Sequence, residues 1–151
     1  MSKYSGKCMC ESVSYEIDGE LGPVVNCHCL KCRRWHNAAF RTRTAVKSRD
    51  FHWLKGEECL GRAHSSENVV KVFCKKCGSN LISILENDPN TIGVPVGALE
   101  GADDIKPCMH IFVGSKAPWY DITDNLPQYD EWPPGGPDAV SIVDPKFGTV
   151  V

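Results

Sequence analysis

The chain has 151 residues, 42% hydrophobic and 24% charged, with a net charge of -2. That is the make-up of one soluble domain with a core of its own; two independent domains would be cramped, and the slightly acidic balance argues against a dedicated nucleic-acid binder. No apolar run nears the roughly 18 to 20 residues that cross a bilayer, and the N-terminus has no apolar signal stretch, so a cytoplasmic protein without a membrane partner is expected.

Nine cysteines in a reducing compartment need an explanation, since disulfides seldom persist there and an odd number cannot pair fully within one chain. Their spacing supplies it: Cys8 and Cys10, and Cys27 and Cys29, stand two apart, while Cys29 and Cys32, and Cys74 and Cys77, stand three apart. These are chelating intervals, and zinc is the expected ion.

Taken in order, Cys8 and Cys10 precede residues 12–17, where Val13, Tyr15 and Ile17 alternate with Ser12, Ser14 and Glu16 as in a strand with one buried face. If that extended geometry reaches back, both thiols point to one side. Residues 24–26 read as a short strand leading into Cys27-His28-Cys29-Leu30-Lys31-Cys32, followed by a helical turn at 33–37 and renewed alternation at 38–44. Phe51 to Leu54 is a further strand candidate. The β-branched and aromatic run 69–73 enters Cys74-Lys75-Lys76-Cys77-Gly78, the form of a zinc knuckle whose Gly78 suits a positive φ, and residues 81–85 read as the returning strand. Gly93, Pro95 and Gly97 interrupt residues 91–99, which suits an edge or bulged strand. Residues 109–113 form one more strand, and 132–137 look like a tail with little regular structure. Eight or so short strands predict a mostly β domain.

Cys8 and Cys10 cannot close a tetrahedron alone, and neither can Cys74 and Cys77; together they make a four-sulfur structural site. Cys27, Cys29 and Cys32 offer three sulfurs and no local fourth ligand, so they read as an open, catalytic centre. Cys59, Cys108, His28 or His36 would turn it into a second closed structural site by joining it. Otherwise Cys59 and Cys108 read as small buried apolar residues, His28 as outward-facing, His110 as a satisfied half-buried histidine, and Trp119 as core or as the wall of a substrate pocket. From Lys31 to Arg49 the chain carries seven cations and no acid, a run that either steers an anionic ligand or forms a solvated face.

Gly6-x-Cys8-x-Cys10 with the Val13-x-Tyr15 strand, Cys27-His28-Cys29-x-x-Cys32-Arg33, Phe73-Cys74-x-x-Cys77-Gly78-Ser79, Ser115-Lys116-Ala117-Pro118-Trp119 and Leu126-Pro127 together resemble the glutathione-dependent formaldehyde-activating enzyme family, which includes centromere protein V-like proteins. The resemblance implies a mostly β, Mss4-like fold of small sheets over residues 1–127, with residues 128–151 as a C-terminal extension packed on the domain or trailing from it. It implies two zinc ions, one structural on Cys8, Cys10, Cys74 and Cys77, and one catalytic on Cys27, Cys29 and Cys32. By similarity the activity is that of a carbon–sulfur lyase joining glutathione to formaldehyde or a related aldehyde, with Lys116 and Trp119 as ligand-binding candidates. A non-catalytic zinc module binding a thiol adduct, a partner protein or nucleic acid is the competing reading. Glu11 stands where the family commonly has glycine, so the turn after the first cysteine pair is expected to differ.

Overall fold

The alternation at Val13, Tyr15 and Ile17 buries all three side chains, as expected, and around them the first of two sheets is built. The computed structural model describes residues 3–141, and among these eleven strands and one α-helix are found. Four strands, β1 (Tyr4–Lys7), β2 (Ser14–Ile17), β5 (Phe51–Lys55) and β10 (Leu99–Glu100), form an antiparallel sheet in the order β10-β1-β2-β5. Tyr15 stacks on Phe51 with centroids 4.9 Å apart and meets Trp53 edge-on. Gly6 pairs with Tyr15 across the strands, and an ideal Cβ at Gly6 would lie 2.3 Å from the tyrosine ring. The ring therefore lies over the bare backbone, which gives Gly6 a packing reason to be there.

The second sheet has seven strands in the order β11-β3-β4-β9-β8-β7-β6. They are β3 (Val25–Cys27), β4 (Arg41–Lys47), β6 (Leu60–Ser66), β7 (Val69–Cys74), β8 (Asn80–Leu85), β9 (Asp88–Pro95) and β11 (Met109–Ile111). Because side chains alternate along each strand, the sheet has two unlike faces. Val46, Val94, Ile82, Val70 and Val72 pack with Val13, Tyr15, Ile17 and Phe51 into the main core. On the opposite face Ala45, Gly93, Ser83, Lys71 and Ala63 stand in one cross-strand row.

Two expectations change here. The strand expected to be an edge or a bulged one, β9, is the middle strand of the seven, with an irregularity where its register to β8 shifts between Ile84 and Leu85; Pro89 and Pro95 fall at its ends, where a missing N–H costs the ladder little. The edge is held instead by β6, whose sequence Leu60-Gly61-Arg62-Ala63-His64-Ser65-Ser66 carries no strong strand signal and is recruited by pairing with β7.

Strand β11 runs parallel to β3, and residues 127–131 lie along its other side, with Tyr129 N–H donating to the His110 carbonyl and Phe112 N–H to that of Glu131. Further on, Val140 is buried against Val25, Cys27, Cys32 and Ile111, and Arg43 Nη1 donates to its carbonyl at 2.9 Å. Of the expected extension, residues 142–151 lie outside the described residues. No helix among the described residues is long and apolar enough to cross a membrane. This is the mostly β, Mss4-like class anticipated from the resemblance.

A Gly6→Ala variant should drive the Tyr15 ring off its seat and lose about 1–3 kcal/mol of stability. Urea unfolding checks this; an unchanged midpoint would show that the ring can shift freely.

Candidate metal centres and the cavity between them

Cys8 and Cys10 do not lie on an extended strand as expected. They occupy the turn that joins β1 to β2, so the two thiols are brought together by a tip and not by strand alternation. Glu11 N–H donates to the Cys8 carbonyl at 3.0 Å, and Glu11 takes φ +60, the left-handed conformation that a glycine would adopt without strain. Its carboxylate is held by Lys7. The second tip, between β7 and β8, carries Cys74 and Cys77; there Gly78 has φ +78, as expected, and its N–H donates to the Cys74 carbonyl at 2.7 Å. Met9 N–H reaches across to Ser79 Oγ at 2.8 Å and laces the tips together.

The four sulfurs of Cys8, Cys10, Cys74 and Cys77 lie within 4.8 Å of one another. Cys8 to Cys10 is 3.6 Å and Cys10 to Cys74 is 3.9 Å. Zinc–sulfur bonds in a tetrahedron set sulfur–sulfur edges of about 3.8 Å, so the cluster fits that ion. Hydrogen bonds from Ser79 bring the Cys77 thiol down to about 5, whereas burial pushes Cys8 up to about 11. Ionising all four together requires a cation.

The second cluster is assembled at a strand-to-helix junction. Cys27 ends β3, and Cys29 caps α1 (Leu30–His36), its sulfur accepting the Cys32 N–H at 3.4 Å. Cys32 sits in the first turn and is buried. The helix stops at Asn37, which takes φ +50 and donates its N–H to the Arg33 carbonyl. The three sulfurs lie within 4.8 Å of one another, and among the described residues no fourth Cys, His, Asp or Glu joins them. Cys59 is buried in the main core, Cys108 packs beside the trio without joining it, and His36 accepts a hydrogen bond from the Asn80 amide at 3.1 Å. Hydrogen bonds from the Cys27 and Cys32 sulfurs and from backbone N–H groups hold Cys29 down at about 2, while Cys27, beside the charge it stabilises, is pushed up. Three thiolates at once again call for a metal.

This trio borders a cavity of about 1030 Å³ whose floor is the polar face of the large sheet. Arg41, Arg43 and Lys71 line it. Arg41 Nη2 and Lys71 Nζ both donate to Ser83 Oγ, each at 3.0 Å. Burial lowers all three cations, Arg43 to about 10 and Lys71 to about 8, and the neighbouring sulfur charges oppose the shift.

The sequence model of the glutathione-dependent formaldehyde-activating enzymes matches residues 3–115. The chain belongs to that family. A Schizosaccharomyces pombe protein described as an uncharacterized lyase is 23% identical over 129 residues, spanning 85% of this chain and 92% of its own. A crystal structure of a Rhodobacter sphaeroides protein aligns with a TM-score of 0.54 at 26% identity, covering 68% of this chain and 91% of that one.

Within this family member the two expected sulfur sets are thus assembled as the spacing predicted. Other expectations are redistributed. Lys116 and Trp119 are not among the cavity-lining residues: Lys116 Nζ is engaged by the carbonyls of Ala117 and Tyr120, and Trp119 is 69% exposed, so it is not core. The basic run splits: Arg41 and Arg43 enter the cavity floor, Arg33 donates to the Ser115 carbonyl at 2.9 Å, and Arg34 stays exposed. Lys71 and Ser83 carry no spacing signal of their own, because their strands read from sequence only as carriers of the knuckle. The available signal was a lone lysine inside the apolar run Val69-Val70-Lys71-Val72-Phe73.

His28 is not outward-facing but fully buried, because the alternation that aims Cys27 and Cys29 at one side sends it to the other. There it packs with Phe40 and Tyr120. His110 is satisfied as expected, though fully buried: its Nε2–H donates to Asp124 at 2.9 Å, which leaves Nδ1 to accept from His28 Nε2–H at 2.8 Å. Burial holds His28 down at about 4, so it is neutral. The bond from His28 N–H to the Ile111 carbonyl at 2.9 Å completes a brace that fixes the loop between Cys27 and Cys29.

Replacing Cys77 with serine should remove one zinc and drop the melting temperature by roughly 10 °C or more. Cys29→Ser should also remove one zinc but change stability by under about 1 kcal/mol, because serine keeps the helix cap. Zinc counts and thermal melts distinguish the two; equal losses would contradict a division into structural and working sites. His110→Ala should leave His28 buried without its partner and cost about 2 kcal/mol, read from urea unfolding.

Proposed function

We propose that this protein is a lyase-type enzyme that joins a thiol, glutathione, to formaldehyde or a related aldehyde, giving S-hydroxymethylglutathione, and catalyses the reverse carbon–sulfur cleavage. One observation carries the reading: three cysteine sulfurs, unaccompanied by a fourth protein ligand among the described residues, stand at the wall of a cavity large enough for a tripeptide. Zinc held by Cys27, Cys29 and Cys32 would supply the charge that favours the ionised form of a substrate thiol. The substrate sulfur then forms a bond to the aldehyde carbon, the carbonyl π electrons move to oxygen, and that oxygen takes up the proton the thiol gave to solvent. The chain's own contribution is to hold the site rigid through the His28–His110–Asp124 brace and to offer a positive floor to an anionic thiol. Cys8, Cys10, Cys74 and Cys77 would hold the structural zinc. Seven cysteines serving as ligands suit a reducing compartment, in keeping with the cytoplasm.

The test is exchange spectroscopy of 13C-formaldehyde with glutathione in the presence of zinc-loaded protein. Interconversion of aldehyde and adduct should accelerate in proportion to enzyme, and Cys29→Ser should remove at least about 90% of the acceleration. A rate equal to that of buffer, with the adduct still bound stoichiometrically, would favour a carrier.

A further inference from the structure

The cavity floor holds charge that the fold leaves without a carboxylate partner. Arg41 and Lys71 are buried to 7% and 5% exposure, Arg43 lines the same cavity, and no carboxylate among the described residues lies within 4.0 Å of any of the three. A buried cation kept for structure is normally paired with an acid. Here Arg41 and Lys71 converge instead on one neutral hydroxyl, Ser83 Oγ, and Arg41 Nε is buried with no acceptor among the described residues. The thiolates offset part of this charge. With Lys31, Glu67, Asp88 and Asp138 counted, the cavity lining as a whole is near neutral; the positive excess is local, where Arg41 and Lys71 face a metal-thiolate set that would carry a net -1.

The surrounding residues keep this corner open. Ala45, Gly93 and Ser83 occupy adjacent positions in the cross-strand row, and an ideal Cβ on Gly93 would already lie 3.5 Å from Arg41 Nη2. The guanidinium thus crosses over β9 to reach β8, and a side chain larger than a methyl at Gly93 would crowd it. Arg41 also faces the Cys32 sulfur, while its buried Nε, without an acceptor among the described residues, and the Lys71 ammonium retain donor capacity for an anion.

We infer that Arg41, Lys71 and Ser83 form a carboxylate subsite beside Cys27, Cys29 and Cys32, so that one of the two reacting molecules carries an acid group close to its reacting atom. This rests on the thiol reading above for what lies at the sulfur end, and on the buried cations alone for the subsite. The carboxylate comes either with the thiol or with the aldehyde.

Calorimetric titration of zinc-loaded protein with mercaptoacetate, 2-mercaptoethanol and acetate tests it, with cobalt-loaded protein reporting thiol at the metal by its absorption. Mercaptoacetate should bind at least about tenfold more tightly than 2-mercaptoethanol, and Lys71→Met should erase that margin, since a charge-assisted hydrogen bond is worth about that factor. Ser83→Ala, which changes little volume, should shrink the margin too and serves if Lys71→Met fails to fold. Equal affinity for both thiols, with glyoxylate displacing acetate in the presence of 2-mercaptoethanol, assigns the carboxylate to the aldehyde. Equal affinity without acetate or glyoxylate binding overturns the subsite, as does a margin that survives in both variants. If no thiol alters the cobalt spectrum, the thiol reading falls; acetate binding that Lys71→Met abolishes would still establish the subsite.

Discussion

Two hairpin tips, one from each sheet, meet in a cluster of four sulfurs, and this meeting is the constraint from which the rest of the structure follows. Cys10 and Cys74 are 64 residues apart in sequence and 3.9 Å apart in space. Closing so long a loop is entropically expensive, and a shared metal would pin it at a single point. With the tips joined, the four-stranded sheet lies on the apolar face of the larger one, and Val13, Tyr15 and Ile17 meet Val46, Val72 and Val94. The larger sheet's other face is thereby left for a different purpose.

That second face explains why the three-sulfur cluster is placed where it is. Strand β3 delivers Cys27 to the cavity rim, and the turn into α1 brings Cys29 and Cys32 back to the same point. A short helix capped by a thiol is a weak support in itself. Rigidity comes from behind, where His28 donates to His110, His110 donates to Asp124, and Phe40 and Tyr120 fill the remaining space. The sulfur side is soft and chemically open while the histidine side is dry and fully packed.

Both sulfur sets were legible in the sequence because ligand geometry demands short, fixed intervals, and the interval survives as a pattern of letters. The strand at residues 12–17 and the knuckle at Gly78 were legible for similar reasons: a period of two, and a conformation that few residues accept. What stayed hidden depends on contacts between distant strands. Nothing local marks β9 as central, because the fate of Gly93 and Pro95 is decided by which neighbours arrive on either side. His28 misled because its flanking ligands suggest solvent on the far side, whereas β11 and Phe40 cover it. Lys71 and Ser83 share a site only because β7 and β8 pair in one register.

The match to the family's sequence model stops at residue 115, yet Trp132, Pro137, Asp138 and Ser141 all border the cavity, and Val140 packs directly against Cys27 and Cys32. The outer wall of the chamber is therefore made from polypeptide that the shared family pattern does not specify. Changes along residues 132–141 would thus reshape what the chamber admits while leaving the sulfur-bearing frame untouched.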